Sequence, residues 1–181
     1  MSKIERPHHA ADKRAELTAG SRPAALLTAA RRTPFDATLE EHRGIRHDVQ
    51  ELTDLLSRYR VGMEDKVWRE WMSGFSGKLE GLHARLVEHF EEEEQSGLYE
   101  VLGEKLPNLV PRTRVVREEH RTIADEIAGI RASLDVLQPT FPLEPQLLDR
   151  AREVLYRIVC HERKESDLIA RAFLEDLGER N

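Results

Sequence analysis

Apolar residues recur every three to four positions in four stretches of this chain, the spacing that lines one face of an α-helix. The first stretch carries Ile45, Val49, Leu52, Leu56 and Tyr59. Thr38 and Glu41 before it have capping-box spacing, and Gly62 is the expected stop. The second carries Leu79, Leu82 and Leu86. It is expected to start near Trp71 and to run towards Leu102, which leaves residues 62–70 to a loop or a separate turn of helix. Trp68, Trp71 and Phe75 extend its stripe backwards and are expected to cap the end of the core. A third stripe begins near Asn108 to Pro111 and holds Thr113, Val116, Ile123, Ile127, Ile130, Leu134 and Leu137. The fourth starts at about Glu144 and holds Leu147, Ala151, Val154, Ile158 and Leu168. Gly103 with Pro107, and Pro139 with Pro142, mark the turns. Four such helices joined by short turns predict an all-α, up-down-up-down antiparallel four-helix bundle over residues 37–177. Residues 1–36 hold Pro7, Gly20, Pro23 and Pro34 without a sustained stripe and read as a flexible N-terminal tail.

Each stripe is interrupted by polar residues where a core leucine belongs. They are His42 in the first, His89 and Glu93 in the second, His120 in the third, and His161 and Glu165 in the fourth. Burying these groups without partners would cost several kcal/mol, roughly, and a bound metal is the simplest offset. The distances along the chain from each histidine to its turn place all four histidines in one layer. Other candidates fall off the inward lines: His47 by about 140°, His83 by about 120° and Cys160 by about 100°. His8 and His9 are solvated in the polar tail, and within Glu91 to Glu94 only Glu93 faces inward by phase. Mixed imidazole and carboxylate donors fit iron, manganese or zinc. Two carboxylates able to bridge favour a pair of metals, with iron the expected one. There is also an internal echo: Glu40-Glu41-His42-Arg43 recurs as Glu118-Glu119-His120-Arg121, and each is followed by a helix with His-x-x-x-Glu.

Composition narrows the partners. The net charge of −6 over 181 residues argues against nucleic acid. No stretch has the length and apolarity of a membrane helix, and the N-terminus has no apolar segment of the kind a secretion signal carries. With Cys160 as the single cysteine, these features predict a cytoplasmic protein without disulfides.

The set Glu41-His42-Arg43, His89-Phe90-x-x-Glu93-Glu94, Glu119-His120-Arg121 and His161-x-x-x-Glu165 resembles the hemerythrin-like family of His-His-Glu cation-binding domains, over about residues 38 to 175. The resemblance implies a bundle around a non-haem di-iron centre. In it His42 and His89 would bind one iron, His120 and His161 the other, and Glu93 and Glu165 would bridge. It also implies a protein that binds or senses oxygen or a related small ligand such as nitric oxide or peroxide. The alternative it leaves is a redox enzyme or iron donor in nitrosative or oxidative stress and iron-sulfur cluster repair. Members that carry oxygen have a second histidine one turn further along the third helix, where this chain has Ala124. That departure leaves both irons with an open position and favours redox reaction over reversible carriage. Glu119 is a candidate to fill such a position, although it lies beside the inward stripe. The chain holds no reductase domain and no substrate pocket motif, so any electrons come from an external donor, and a binding protein is expected ahead of an enzyme.

Overall fold

The computed structural model describes residues 34–136 and 143–178, so the expected tail up to Thr33 and the Pro139–Pro142 turn lie outside the described residues. Among these residues there are five α-helices and no strand: α1 (Pro34–Arg58), α2 (Asp65–Gln95), α3 (Leu98–Lys105), α4 (Val110–Val136) and α5 (Pro145–Gly178). A single 3-10 turn, Pro107–Leu109, leads into α4. No helix of the described residues is long and apolar enough to cross a membrane.

The four long helices pack in a ring, α1 on α2 and α5, and α4 on α2 and α5. Cross-helix pairs give their directions. Glu41, Asp48 and Glu51 of α1 meet His89, Arg85 and Lys78 of α2, one sequence rising as the other falls. The same opposed order joins Glu80 and Glu94 of α2 to Arg131 and His120 of α4. It joins Glu119 and Glu126 of α4 to His161 and Arg157 of α5, and His42 and Arg46 of α1 to Ser166 and Glu162 of α5.

Three boundaries correct the sequence reading. Helix α1 starts at Pro34, ahead of Thr38, so the Thr38–Glu41 pair lies inside the helix and not at its start. Proline suits a first helical position because its missing N–H would have no partner there. Helix α2 starts at Asp65, not near Trp71, and runs unbroken through Gly74 and Gly77. Each glycine weakens a helix by about 1 kcal/mol. Packing outweighs that: Trp68, Trp71 and Phe75 are buried and stacked, and Trp71 Nε1 donates to the Leu55 carbonyl at 2.8 Å. Finally, α2 stops at Gln95 and does not reach Leu102. Gly97 takes a φ of 74°, which L side chains rarely adopt, and the chain turns there into α3.

That turn determines where the core ends. The larger apolar cluster runs from Tyr59, Trp68 and Leu147 up to Ile45, Leu86, Ile123 and Ile158. A second cluster, Tyr99, Leu102, Leu106, Leu109, Val116, Leu168 and Ile169, lies beyond it and is built around α3. On α4 and α5 the polar residues of the site fall between the two clusters in sequence order, and on α1 and α2 they lie at the end of the larger one.

Candidate metal centre

Each long helix contributes the residue its stripe displaced. His42, His89, Glu93, His120, His161 and Glu165 are all buried. Donor atoms of His42, His89, Glu93 and Glu165 lie within 4.8 Å of one another, and so do those of His120, His161 and Glu165. The structure therefore brings together all six residues picked out by helical phase.

The carboxylates stand between the imidazole pairs. Glu93 Oε1 is 3.8 Å from His42 Nε2 and 3.5 Å from His89 Nε2, while its Oε2 is 3.5 Å from His120 Nε2. Glu165 Oε2 is 3.3 Å from His42 Nε2 and 4.0 Å from His89 Nε2. Its Oε1 is 3.0 Å from His120 Nε2 and 3.1 Å from His161 Nε2. Glu165 thus offers one oxygen to each imidazole pair, and Glu93 offers one oxygen to His42 and His89 and the other to His120.

Behind the imidazoles runs an outer ring. His89 Nδ1 donates to Glu41 at 3.0 Å, His120 Nδ1 to Glu94 at 3.2 Å and His161 Nδ1 to Glu119 at 3.1 Å. An ionised carboxylate only accepts, so these bonds hold a proton on Nδ1 and turn Nε2 inward, where it offers a lone pair to a cation that displaces its proton. His42 Nδ1 has only the Ser166 hydroxyl, at 3.4 Å.

The donor set fits a cation. His42 Nε2, His89 Nε2, His161 Nε2, Glu93 Oε1 and Glu165 Oε2 are buried and make no hydrogen bond. They feel one another's charge but are misaligned for bonding. A buried polar atom left unsatisfied costs about 1–3 kcal/mol, so five would offset much of a domain's usual stability of about 5–15 kcal/mol. Five lone pairs converging on two points are what a metal pair needs.

Electrostatics point the same way. Burial lowers the affinity of the His42 imidazole for its proton, but the Glu165 and Glu93 carboxylates outweigh it and raise its pKa to about 9. His89 and His161 are raised by the same contest between burial and the carboxylates. Glu165 is held well below the usual carboxylate range: burial opposes this, and the four surrounding imidazoles prevail. Protons thus take the part of cations in the metal-free site, and a metal displaces them. Glu162, behind His42, is different: burial pushes its carboxyl up to about 7, with Arg46 3.2 Å from its Oε2.

The phase reading missed several participants. Glu94, assigned to a solvated face, reaches His120; Glu41, read as a cap, reaches His89. Glu119 lies behind His161 and beside Lys164, on the outside of the site, so it is a partner to the imidazole and does not face the ligand cluster. Tyr99 is the largest omission. Its hydroxyl lies 2.9 Å from Glu93 Oε2, 3.0 Å from Glu165 Oε1 and 3.2 Å from His120 Nε2. Burial, then Glu165 and Glu93, push this phenol above its ordinary pKa, so without a cation it is protonated and donates. The glycine at 97 was the available signal, since a break in α2 there frees the following segment to fold back. An open groove of about 890 Å³ runs past Tyr99 and Glu94, with Arg114, Arg117 and Arg121 along it. His47 is exposed, and His83 accepts from Arg131 at 3.0 Å, away from the site.

An all-α fold with a buried histidine and glutamate cluster in the middle of its core defines a helical cation-binding domain. The family model of the Hemerythrin HHE cation binding domain matches residues 33–172, and the chain belongs to that family. No curated protein and no solved structure matches it.

Proposed function

We propose that residues 37–177 form a non-haem di-iron protein, an up-down-up-down four-helix bundle that binds or senses oxygen or a related small ligand such as nitric oxide or peroxide in the cytoplasm. The observation that carries this reading is the position of the carboxylates: Glu165 has one oxygen towards each imidazole pair, and Glu93 has one towards His42 and His89 and the other towards His120. In this reading His42 and His89 would hold one iron and His120 and His161 the other, with Glu93 and Glu165 as carboxylate ligands between them. A bound iron pair supplies reversible one-electron chemistry towards small ligands.

The chain's own residues do the rest. Glu41, Glu94 and Glu119 orient three imidazoles and make them better donors. The apolar clusters on either side keep bulk water from the layer, and Phe90 stacks on the His120 ring with centroids 4.1 Å apart. Electrons would come from an external donor.

Elemental analysis with an absorption spectrum of the full chain, purified from iron-replete cells, tests the proposal. About two irons per chain with an oxidised-iron spectrum is expected for two such sites. Stoichiometric zinc, or no metal even after anaerobic loading with iron(II), would overturn it.

A further inference from the structure

The short helix α3 brings one more side chain to the layer. We propose that Tyr99 is a protein ligand of the cation between His120 and His161, bound through its phenolate oxygen, and that the two cation positions are therefore unequal. This rests on the two-cation reading above. Donors held at about 2.1 Å around an octahedral ion stand about 3.0 Å from their neighbours. The Tyr99 oxygen keeps that spacing to three donors at once: 2.9 Å to Glu93 Oε2, 3.0 Å to Glu165 Oε1 and 3.2 Å to His120 Nε2. Glu165 Oε1 keeps it in turn to His120 Nε2 at 3.0 Å and to His161 Nε2 at 3.1 Å. His120, His161 and Glu165 thus form one group of donors, and the Tyr99 oxygen extends it from the side of Glu93 Oε2, which stands 3.5 Å from His120 Nε2.

Hydrogen bonding alone explains this poorly. A phenol has one proton to give. Here it meets two carboxylate oxygens and, with the His120 proton committed to Glu94 through Nδ1, an imidazole lone pair. One phenol hydrogen serves only one of these acceptors at a time, whereas a cation draws all three and the phenolate together. Around His42 and His89 the corresponding edges run from 3.3 to 4.0 Å, and no phenol joins them. On ligation the Tyr99 O–H bond breaks and an oxygen–metal bond forms. The proton leaves to solvent through the groove that Tyr99 and Glu94 line. No electrons move in this step.

The test loads the full chain with iron(II) without oxygen, admits air and counts metal by elemental analysis. The expected result is a strong visible phenolate-to-iron(III) band, with its resonance Raman lines shifted by ring-deuterated tyrosine. Tyr99→Phe should lose the band while keeping the His42 and His89 cation. A wild-type chain with iron but no tyrosine-dependent band overturns this inference and leaves the di-iron reading standing. A wild-type chain that takes up no iron overturns both. The isotope experiment needs only the wild-type chain, so it decides the matter even where Tyr99→Phe fails to fold.

Discussion

The hairpin of α1 and α2 and the hairpin of α4 and α5 set out the same residues in the same order, yet they surround their imidazoles differently. In both, the glutamate just before the first histidine reaches the histidine of the next helix: Glu41 to His89, Glu119 to His161. The sequence echo is therefore a structural one. The residue after each inner glutamate reaches across to the other hairpin, and here the halves part. Glu94 backs His120 with a carboxylate, while Ser166 gives His42 only a distant hydroxyl. The residue after the second histidine differs too. Phe90 lies flat on His120, whereas Glu162 places a buried carboxyl within electrostatic reach of His42. Tyr99 adds a phenol on the His120 side alone. The inner constellation is thus duplicated while its surroundings are individual. Affinity and redox behaviour respond to such surroundings, so the two positions are expected to differ.

Breaking what the halves share should have the largest effect. Glu165 faces both imidazole pairs, so Glu165→Ala should abolish binding of both cations, measured as metal per chain by elemental analysis. His89→Ala and His161→Ala should each lose the cation of their own half and lower the thermal midpoint of the loaded protein, since a bound metal stabilises the folded state. Retention of two metals by Glu165→Ala would remove the shared-carboxylate picture.

Transposing the outer ring sharpens the comparison. Glu94→Ser should weaken the cation on the His120 side about 10–100-fold, the usual cost of losing such a partner. Ser166→Glu should tighten the other, and competition against a chelator would measure both changes. Identical affinities across these variants would show that the outer ring does not distinguish the halves.

Acidity gives a smaller, graded effect. His42 is raised from 6.5 to about 9, so between these values the folded, metal-free protein holds a proton that the unfolded chain has lost. The stability this confers is fully present below 6.5 and disappears as the pH rises through about 9. A metal must expel that proton, so apparent cation affinity should climb over the same window; a flat affinity profile would contradict the assignment. Glu162 behaves as its counterpart. Its pKa is raised from 4.5 to about 7, so the metal-free fold loses stability as the pH rises across that range. Glu162→Gln should remove this loss and raise the melting temperature of the metal-free protein in mildly alkaline buffer.

The smallest effects should come from histidines outside both halves of the site. His47→Ala and His83→Ala should leave metal content unchanged, because His47 is exposed and His83 is occupied with Arg131. Loss of metal from His83→Ala equal to that from His89→Ala would refute the helical phase argument.

The sequence by itself determined the inner layer. Helical periodicity rotates residues at three- and four-residue steps onto one face, so His42, His89, Glu93, His120, His161 and Glu165 could be picked out as inward without any coordinates. Even the Glu-His echo was visible, although its purpose was not. What periodicity leaves open is which side chain beside the stripe reaches across to a neighbouring helix. That depends on the rotation and register of two helices together. Only the tertiary structure paired Glu41, Glu94 and Glu119 with imidazoles on other helices. Only packing carried α2 through Gly74 and Gly77, because the buried Trp68, Trp71 and Phe75 outweigh a local helix propensity of opposite sign. Tyr99 belongs wholly to this second kind. It lies six residues beyond Glu93, off the inward line of a straight helix, and reaches Glu93, Glu165 and His120 because the backbone reverses at Gly97 and folds α3 back against α2, α4 and α5. A periodic pattern describes a helix that continues, and cannot place a residue that depends on where the helix breaks.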